Sequence, residues 1–323
     1  MRPRYALALG LAVLVAATVD AAANNRVKLA PRFSPGQVMR YRIESSSKST
    51  GKTTGPIANP EGGSQSSNSV QMVVRLEVLS LAPDGGVRLR ATYEKSSAQY
   101  EADALDLSAN SFSSRYTRLE SRTFEFTLEP DGKVTNTQDL TAAAAGQSPK
   151  AIEPALAWLA QVVPGTSFPK NGISVGQKWA GEHAVEGAVL SGLTWRSDST
   201  YLRNERCGSN SPAASASTAA VTDPAAAECA VILTQILITR RGSSRADATP
   251  DDYRRNGLRT SGTWSGSGES LDSYSLTTGL LVSSTQSTTQ NMDYQVTSAT
   301  TGSSVHNVGK VQWQSQITLI PSP

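Results

Sequence analysis

Apolar and polar residues alternate along much of the chain. Val70, Met72, Val74, Leu76 and Val78 point one way and Gln71, Arg75 and Glu77 the other; after Pro83-Asp84-Gly85-Gly86 the pattern resumes with Val87, Leu89, Ala91 and Tyr93 against Arg88, Arg90, Thr92 and Glu94. A period of two marks a strand with one buried face, and the Pro/Asp/Gly cluster supplies a turn, so this stretch predicts a β-hairpin. Phe124, Phe126 and Leu128 alternate with Thr123, Glu125 and Thr127 before Glu129-Pro130-Asp131-Gly132, which predicts a second hairpin returning over Lys133 to Thr137. Further strands are expected over Ala188 to Arg206, Ala230 to Arg240, Ser261 to Leu276, Leu280 to Val296 and Gly309 to Ile320. In the last of these Val311, Trp313, Ile317 and Leu319 share a face opposite Gln312, Gln314, Gln316 and Thr318. The expected fold is mainly β, with long antiparallel strands in one large curved sheet or in two related β-rich halves.

Helical periodicity is scarce. Ile152, Leu156, Leu159 and Val163 recur at helical spacing with Trp158 beside them, and Pro164-Gly165 ends the run, so one helix is expected over 149–163, packed on a sheet face. A shorter helical turn is expected at Thr249-Pro250-Asp251-Asp252, with Thr249 as cap, Pro250 in the first turn and Gly257 as terminator. Ser45 to Ser69, the segment between the cysteines and Gly242 to Ala248 read as loops. Phe33-Ser34-Pro35-Gly36-Gln37-Val38-Met39 and Ile173-Ser174-Val175-Gly176-Gln177-Lys178-Trp179 share Ser, Gly and Gln at matching places. Asp131-Gly132 and Thr278-Gly279 mark turns at a similar offset, as a duplicated unit would. The expected division is a leader over 1–23, an N-terminal half over 24–165 and a C-terminal half over 166–323.

The first residues bear on compartment. Arg2 and Arg4 precede the apolar run Ala6 to Ala17, and Ala21-Ala22-Ala23 offers small residues for cleavage, the order of a secretory signal peptide cut after Ala23. An apolar run of 12 residues falls short of the roughly 20 that a membrane-spanning helix needs. The protein is therefore expected outside the cytoplasm, in the periplasm or extracellular space, with no transmembrane span in the mature chain. Both cysteines, Cys207 and Cys229, lie beyond the leader, and an exported chain with one pair is expected to oxidise it, closing the Ala/Ser/Pro-rich loop 207–229.

Composition removes several functions. Two histidines, two cysteines and a net charge of +3 supply neither a metal-ligand set nor a nucleic-acid footprint, so no metal, no cofactor and no nucleic-acid partner are expected. His183 and His306 stand far apart with no ligand at a useful spacing, and no H-E-x-x-H sequence occurs. Ser-x-x-Lys occurs at Ser45 to Lys48 and Ser167 to Lys170, but neither serine opens a predicted helix. Glu101, Asp103 and Asp106 form the one acidic cluster from which a hydrolase could be built, yet they lack the rhythm of a calcium loop and read as solvated. No catalytic residue is assigned.

Binding fits the pattern better. Ala230 to Ile238 is apolar on both faces, as a covered central strand would be, whereas Ser261 to Ser275 and Ser283 to Thr289 are polar on both. The leader, the Ser-x-Gly-Gln strand starts, the Gly-turned hairpins and the segment from Val163-Pro164 to Gly176-Gln177-Lys178-Trp179 together resemble exported bacterial proteins grouped as a domain-of-unknown-function family. That resemblance implies no activity. Long antiparallel strands with a tucked helix also resemble the periplasmic lipoprotein-carrier class, which implies a sheet whose concave apolar face holds acyl chains. The expected function is non-catalytic binding of an apolar small molecule or lipid between sheet and helix, lined by Trp158, Phe124, Phe126 and Trp313. The alternatives are a cell-envelope or partner-binding protein that uses its polar strands, and a hydrolase on the acidic cluster.

Overall fold

A computed structural model describes residues 26–56, 63–103, 108–141, 156, 158–162, 168–185, 187–208, 228–240 and 246–321. The expected leader, residues 209–227 of the inter-cysteine loop and 241–245 lie outside the described residues. The strands are β1 (Val38–Thr54), β2 (Ser64–Leu81), β3 (Val87–Ala102), β4 (Thr123–Leu128), β5 (Val134–Asp139), β6 (Lys178–Ala184), β7 (Leu193–Arg206), β8 (Glu228–Arg240), β9 (Leu258–Ser275), β10 (Leu281–Ser298) and β11 (Ser304–Ile320). All belong to one open sheet in the order β5-β4-β3-β2-β1-β11-β10-β9-β8-β7-β6. The first five strands step from the centre to one edge. The last six step from the other edge back to the centre, where β11 pairs antiparallel with β1 over Arg40–Thr54. The choice between one sheet and two halves thus resolves into a single hydrogen-bonded sheet.

Within that sheet the two Ser-x-Gly-Gln segments fold alike. Each Gly has positive φ, 80° at Gly36 and 84° at Gly176, which a side chain would strain. The Gly36 N–H donates to the Val78 carbonyl at 2.8 Å and the Gly176 N–H to that of Tyr201 at 2.7 Å. The Ser34 and Ser174 N–H groups donate to Gln37 Oε1 at 3.1 Å and Gln177 Oε1 at 3.2 Å. One turn therefore starts both β1 and β6 and ties each to the next strand. The correspondence extends further, since a helix stands between β3 and β4, α1 (Ser108–Thr117), and another between β8 and β9.

Of the expected 149–163 helix, the described part is Leu156, Trp158 and the turn α2 (Leu159–Val162), whose side chains at 156, 158, 159 and 162 are buried. The second expected helix forms as α3 (Asp251–Arg255), with the Gly257 N–H closing on the Arg254 carbonyl at 3.1 Å. Its cap differs from expectation. Pro250 holds the N-cap position with no side-chain bond, because the buried Thr249 hydroxyl is taken by the Thr260 N–H at 2.9 Å and by Asp247. α1 was not signalled by apolar periodicity; Phe112 rests on Tyr100, with ring centroids 5.8 Å apart, and on Tyr116 at 5.2 Å.

Two loop and strand readings are corrected. Ser45 to Thr54 and Ser64 to Ser69 are strand, paired through Ser45↔Val70 and Ser49↔Ser66 on one side and Ser49↔Val311 on the other. Backbone pairing on both sides holds them, where no apolar stripe announced it. The late strands that read as polar on both faces are nonetheless buried at Ser270, Ser284 and Thr288. β8 is covered on both faces only near its start: Val231 is fully buried but Leu237 is 45% exposed.

The core lies on one face over β1 to β4, where Tyr41, Val74, Leu76, Leu89, Tyr93 and Phe124 are completely buried. On the other face Glu125 accepts from Arg88 at 2.7 Å and from Arg90 at 2.7 Å. Those two guanidiniums hold its carboxyl below the usual glutamate range despite partial burial. A carboxyl lowered in the folded state stabilises above its unfolded pKa, and that contribution is lost as pH falls through the folded value. Because both arginines are partly exposed, the loss is about 1 kcal/mol. Urea unfolding of Glu125→Gln below pH 5 is expected to show a shallower pH dependence than the parent; parallel curves would refute the assignment.

Candidate ligand-binding hollow

The connection from β5 to β6 must pass from one edge of the sheet to the other, and its aromatic side chains dock on sheet tyrosines as it goes. Trp158 Nε1 donates to the Tyr93 hydroxyl at 3.0 Å, and the Trp158 ring lies 6.2 Å from that of Tyr41. Farther along, Phe168 meets Tyr274 edge-on at 5.2 Å and Trp179 at 5.8 Å. Aromatic pairs at these separations add to their area burial, so the row fixes where the connection crosses. Burial pushes the Tyr41, Tyr93 and Tyr274 hydroxyls well above their ordinary range, so all three stay neutral.

Beyond Phe168 the same face opens into a hollow of about 480 Å³. Its rim is aromatic: Phe168 and Trp179 at one end, and His183 stacked on Trp195 at 6.2 Å at the other. Trp179, Gly181 and His183 alternate along β6 and share the face of Ser199, Ser197 and Trp195 on β7. Gly181 leaves a gap between the aromatic pairs, since a Cβ there would meet Ser197 Oγ at 3.1 Å. Ile232 and Ile236 form the apolar floor, bordered by Ser270, Asp272, Ser284 and Gln286. Asp272 accepts from the Ser270 hydroxyl at 2.9 Å and is also bonded by the Ser284 side chain. Burial raises its carboxyl above the usual aspartate range, against those two bonds.

A larger hollow of 630 Å³ is bordered by Glu44, Gln71, Glu269, Thr285, Gln314 and Gln316 and has no aromatic side chain. Val70, Leu233 and Leu271 also line it, so it differs from the first hollow in lacking aromatic rings. A third, of 380 Å³, is formed by the N-terminal segment around Leu29 and Phe33 and shares Phe168 with the aromatic hollow.

Of the four aromatics read from sequence, Phe124, Phe126 and Trp158 lie together in the closed core at 0%, 1% and 5% exposure. Trp313 is half-buried in another row, where Ile236, Gly268, Thr288 and Trp313 are successive partners across β8 to β11. Sequence reasoning missed Trp179, His183, Trp195 and Asp272. The Trp-x-Gly-x-His alternation over 179–183 was the available signal. In the acidic cluster, Glu101 and Asp103 are exposed at the end of β3 and Asp106 lies outside the described residues. Among the described residues no three His, Cys, Asp or Glu side chains could hold a metal ion.

Cys207 and Cys229 are joined in a disulfide, as expected, with Cα atoms 5.0 Å apart. No helix among the described residues is long and apolar enough to cross a membrane.

The fold and the hollow together define a mainly β protein built on one open antiparallel sheet. No known family's sequence profile matches the chain, and no curated protein matches it. Among solved structures it is similar to one titled "Lipid-protein interactions in lipovitellin", with a TM-score of 0.39 and 11% identity over 90% of this chain and 25% of that one. The chain thus spans a quarter of that protein's length. At that similarity the match carries no inference about ligand or partner.

Proposed function

We propose that the chain is an exported, non-catalytic binding protein that holds a ligand with an apolar body in the hollow between β6–β10 and the connection after α2. The observation that carries this is the change along one sheet face: a closed core under Trp158, then an open space with an aromatic rim and an isoleucine floor beyond Phe168. Pockets lined mainly by apolar and aromatic groups with a few convergent polar ones are where proteins bind small molecules. In this reading Trp158, Phe124 and Phe126 form the wall behind the site and Trp313 extends its floor. Export is supported by the disulfide and by the leader-like first 23 residues.

The uncharged dye N-phenyl-1-naphthylamine is expected to bind saturably at one site. Trp179→Ala should weaken it about tenfold, the worth of one stacked aromatic, with the far-ultraviolet dichroism of the sheet retained because Trp179 stands on an edge strand. Native mass spectrometry of protein purified from an oxidising compartment should show an organic-extractable adduct. Failure of the dye to saturate any site would overturn the reading.

A further inference from the structure

The hollow also has a charge character. Its bordering side chains include the Asp272 carboxyl and the His183 imidazole, but no lysine or arginine among the described residues. An anionic head entering there would lose water and meet a carboxyl beside the floor with no fixed cation in return. Hydrogen-bonding groups, by contrast, are plentiful. The Ser199 and Thr234 hydroxyls are bonded to each other at 2.9 Å, and Ser270, Ser284 and Gln286 surround the Asp272 carboxyl.

We infer that, if the hollow binds apolar ligands as proposed above, it selects amphiphiles whose head group is uncharged and bears hydroxyl or carbonyl groups, with Asp272 as the central partner, and rejects those with a carboxylate or phosphate head. The Asp272 carboxyl is already bonded by Ser270 and Ser284, so a hydroxyl or carbonyl head would join an existing hydrogen-bonded cluster there. The titratable groups on its side of the sheet are Tyr274 on its own strand and His183 from β6. Of these only His183 can become a cation, and it stands at the opposite end of the rim, stacked on Trp195. Head and body of the ligand are thereby given separate places: the head at Asp272 and the apolar body along Ile232, Ile236 and the rim aromatics.

Two ligands with the same chain isolate the head group. 1-Monododecanoylglycerol and dodecanoate, each below its critical micelle concentration at pH 7, compete with N-phenyl-1-naphthylamine for the wild-type protein. The uncharged ester is expected to bind at least tenfold tighter. Asp272→Asn, which keeps a polar group of the same shape, should stay within about threefold of wild type for the ester. Asp272→Leu should lose about tenfold for the ester, the cost of one well-made polar contact, while its dye binding persists. If Asp272→Leu fails to fold, the wild-type comparison decides alone. Dodecanoate binding as tightly as the ester would overturn the head-group inference and leave the binding reading intact. Binding of neither ligand nor dye would overturn the binding reading itself.

Discussion

Trp158→Ala is expected to lower the unfolding free energy by about 4 kcal/mol, the scale of removing a large aromatic side chain from a closed core. Two losses combine. The indole fills the space between Tyr41 and Tyr93 and is 5% exposed, so its removal leaves a void that the flanking strands, paired on both sides, are poorly placed to close. Its N–H is also the donor to the Tyr93 hydroxyl, which is fully buried and would lose that bond. Trp158→Phe separates the terms: it keeps most of the volume and should cost about 1–2 kcal/mol, the share of a buried hydrogen bond. Urea unfolding followed by far-ultraviolet dichroism measures both. A Trp158→Ala loss below about 1 kcal/mol would mean that the connection collapses onto the sheet without its anchor. Because Phe168 stands farther along the same connection and forms the rim of the hollow, Trp158→Ala should also weaken dye binding.

The parts of the fold legible in the sequence are those where one face is apolar and the other is not. Val70 to Val78, Val87 to Tyr93 and Phe124 to Leu128 alternate because their inward rows pack under Trp158 and Leu159 while their outward rows carry Arg75, Glu77, Arg88, Arg90 and Glu125. Hydroxyl-rich strands hide the same geometry. Ser45 to Thr54 look like a loop because serine, threonine and glycine carry no periodic hydrophobicity, yet ladders with β2 and β11 give every residue a register partner. α1 was hidden for a related reason: Ser108-Ala-Asn-Ser-Phe-Ser-Ser-Arg-Tyr-Thr117 has only Phe112 and Tyr116, one turn apart, to mark a face. The duplicated turn was legible because its function is local. Gly must take positive φ and Gln must reach back three residues, and both constraints fall within one short motif. The hollow was not legible as a site, since Trp179, Trp195 and Asp272 come from three strands and meet only through the register of β6 to β10.

Removing the disulfide by Cys207→Ser with Cys229→Ser is expected to cost about 3 kcal/mol, from the freedom the unfolded chain regains across a sequence separation of 22 residues. The position of the bond decides where that loss is felt. Cys229 pairs with Glu205 on β7 and Ser275 on β9, next to the Ala230–Tyr274 and Ile232–Asp272 partners that lead into the hollow. Both cysteines are buried, with Val282 against them, so the new hydroxyls would add a desolvation cost on the same spot. β6 is an edge strand held only by β7, so this end of the sheet should open first. Hydrogen exchange is the discriminating measurement. Faster exchange confined to Lys178–Ala184, Tyr201–Arg206 and Cys229–Leu233, with Val70–Val78 unchanged, is the expected pattern, together with weaker dye binding. Uniform acceleration across β1 to β4 would show instead that the bond supports the whole sheet, and an unchanged stability would show that the ladder alone holds the hairpin closed.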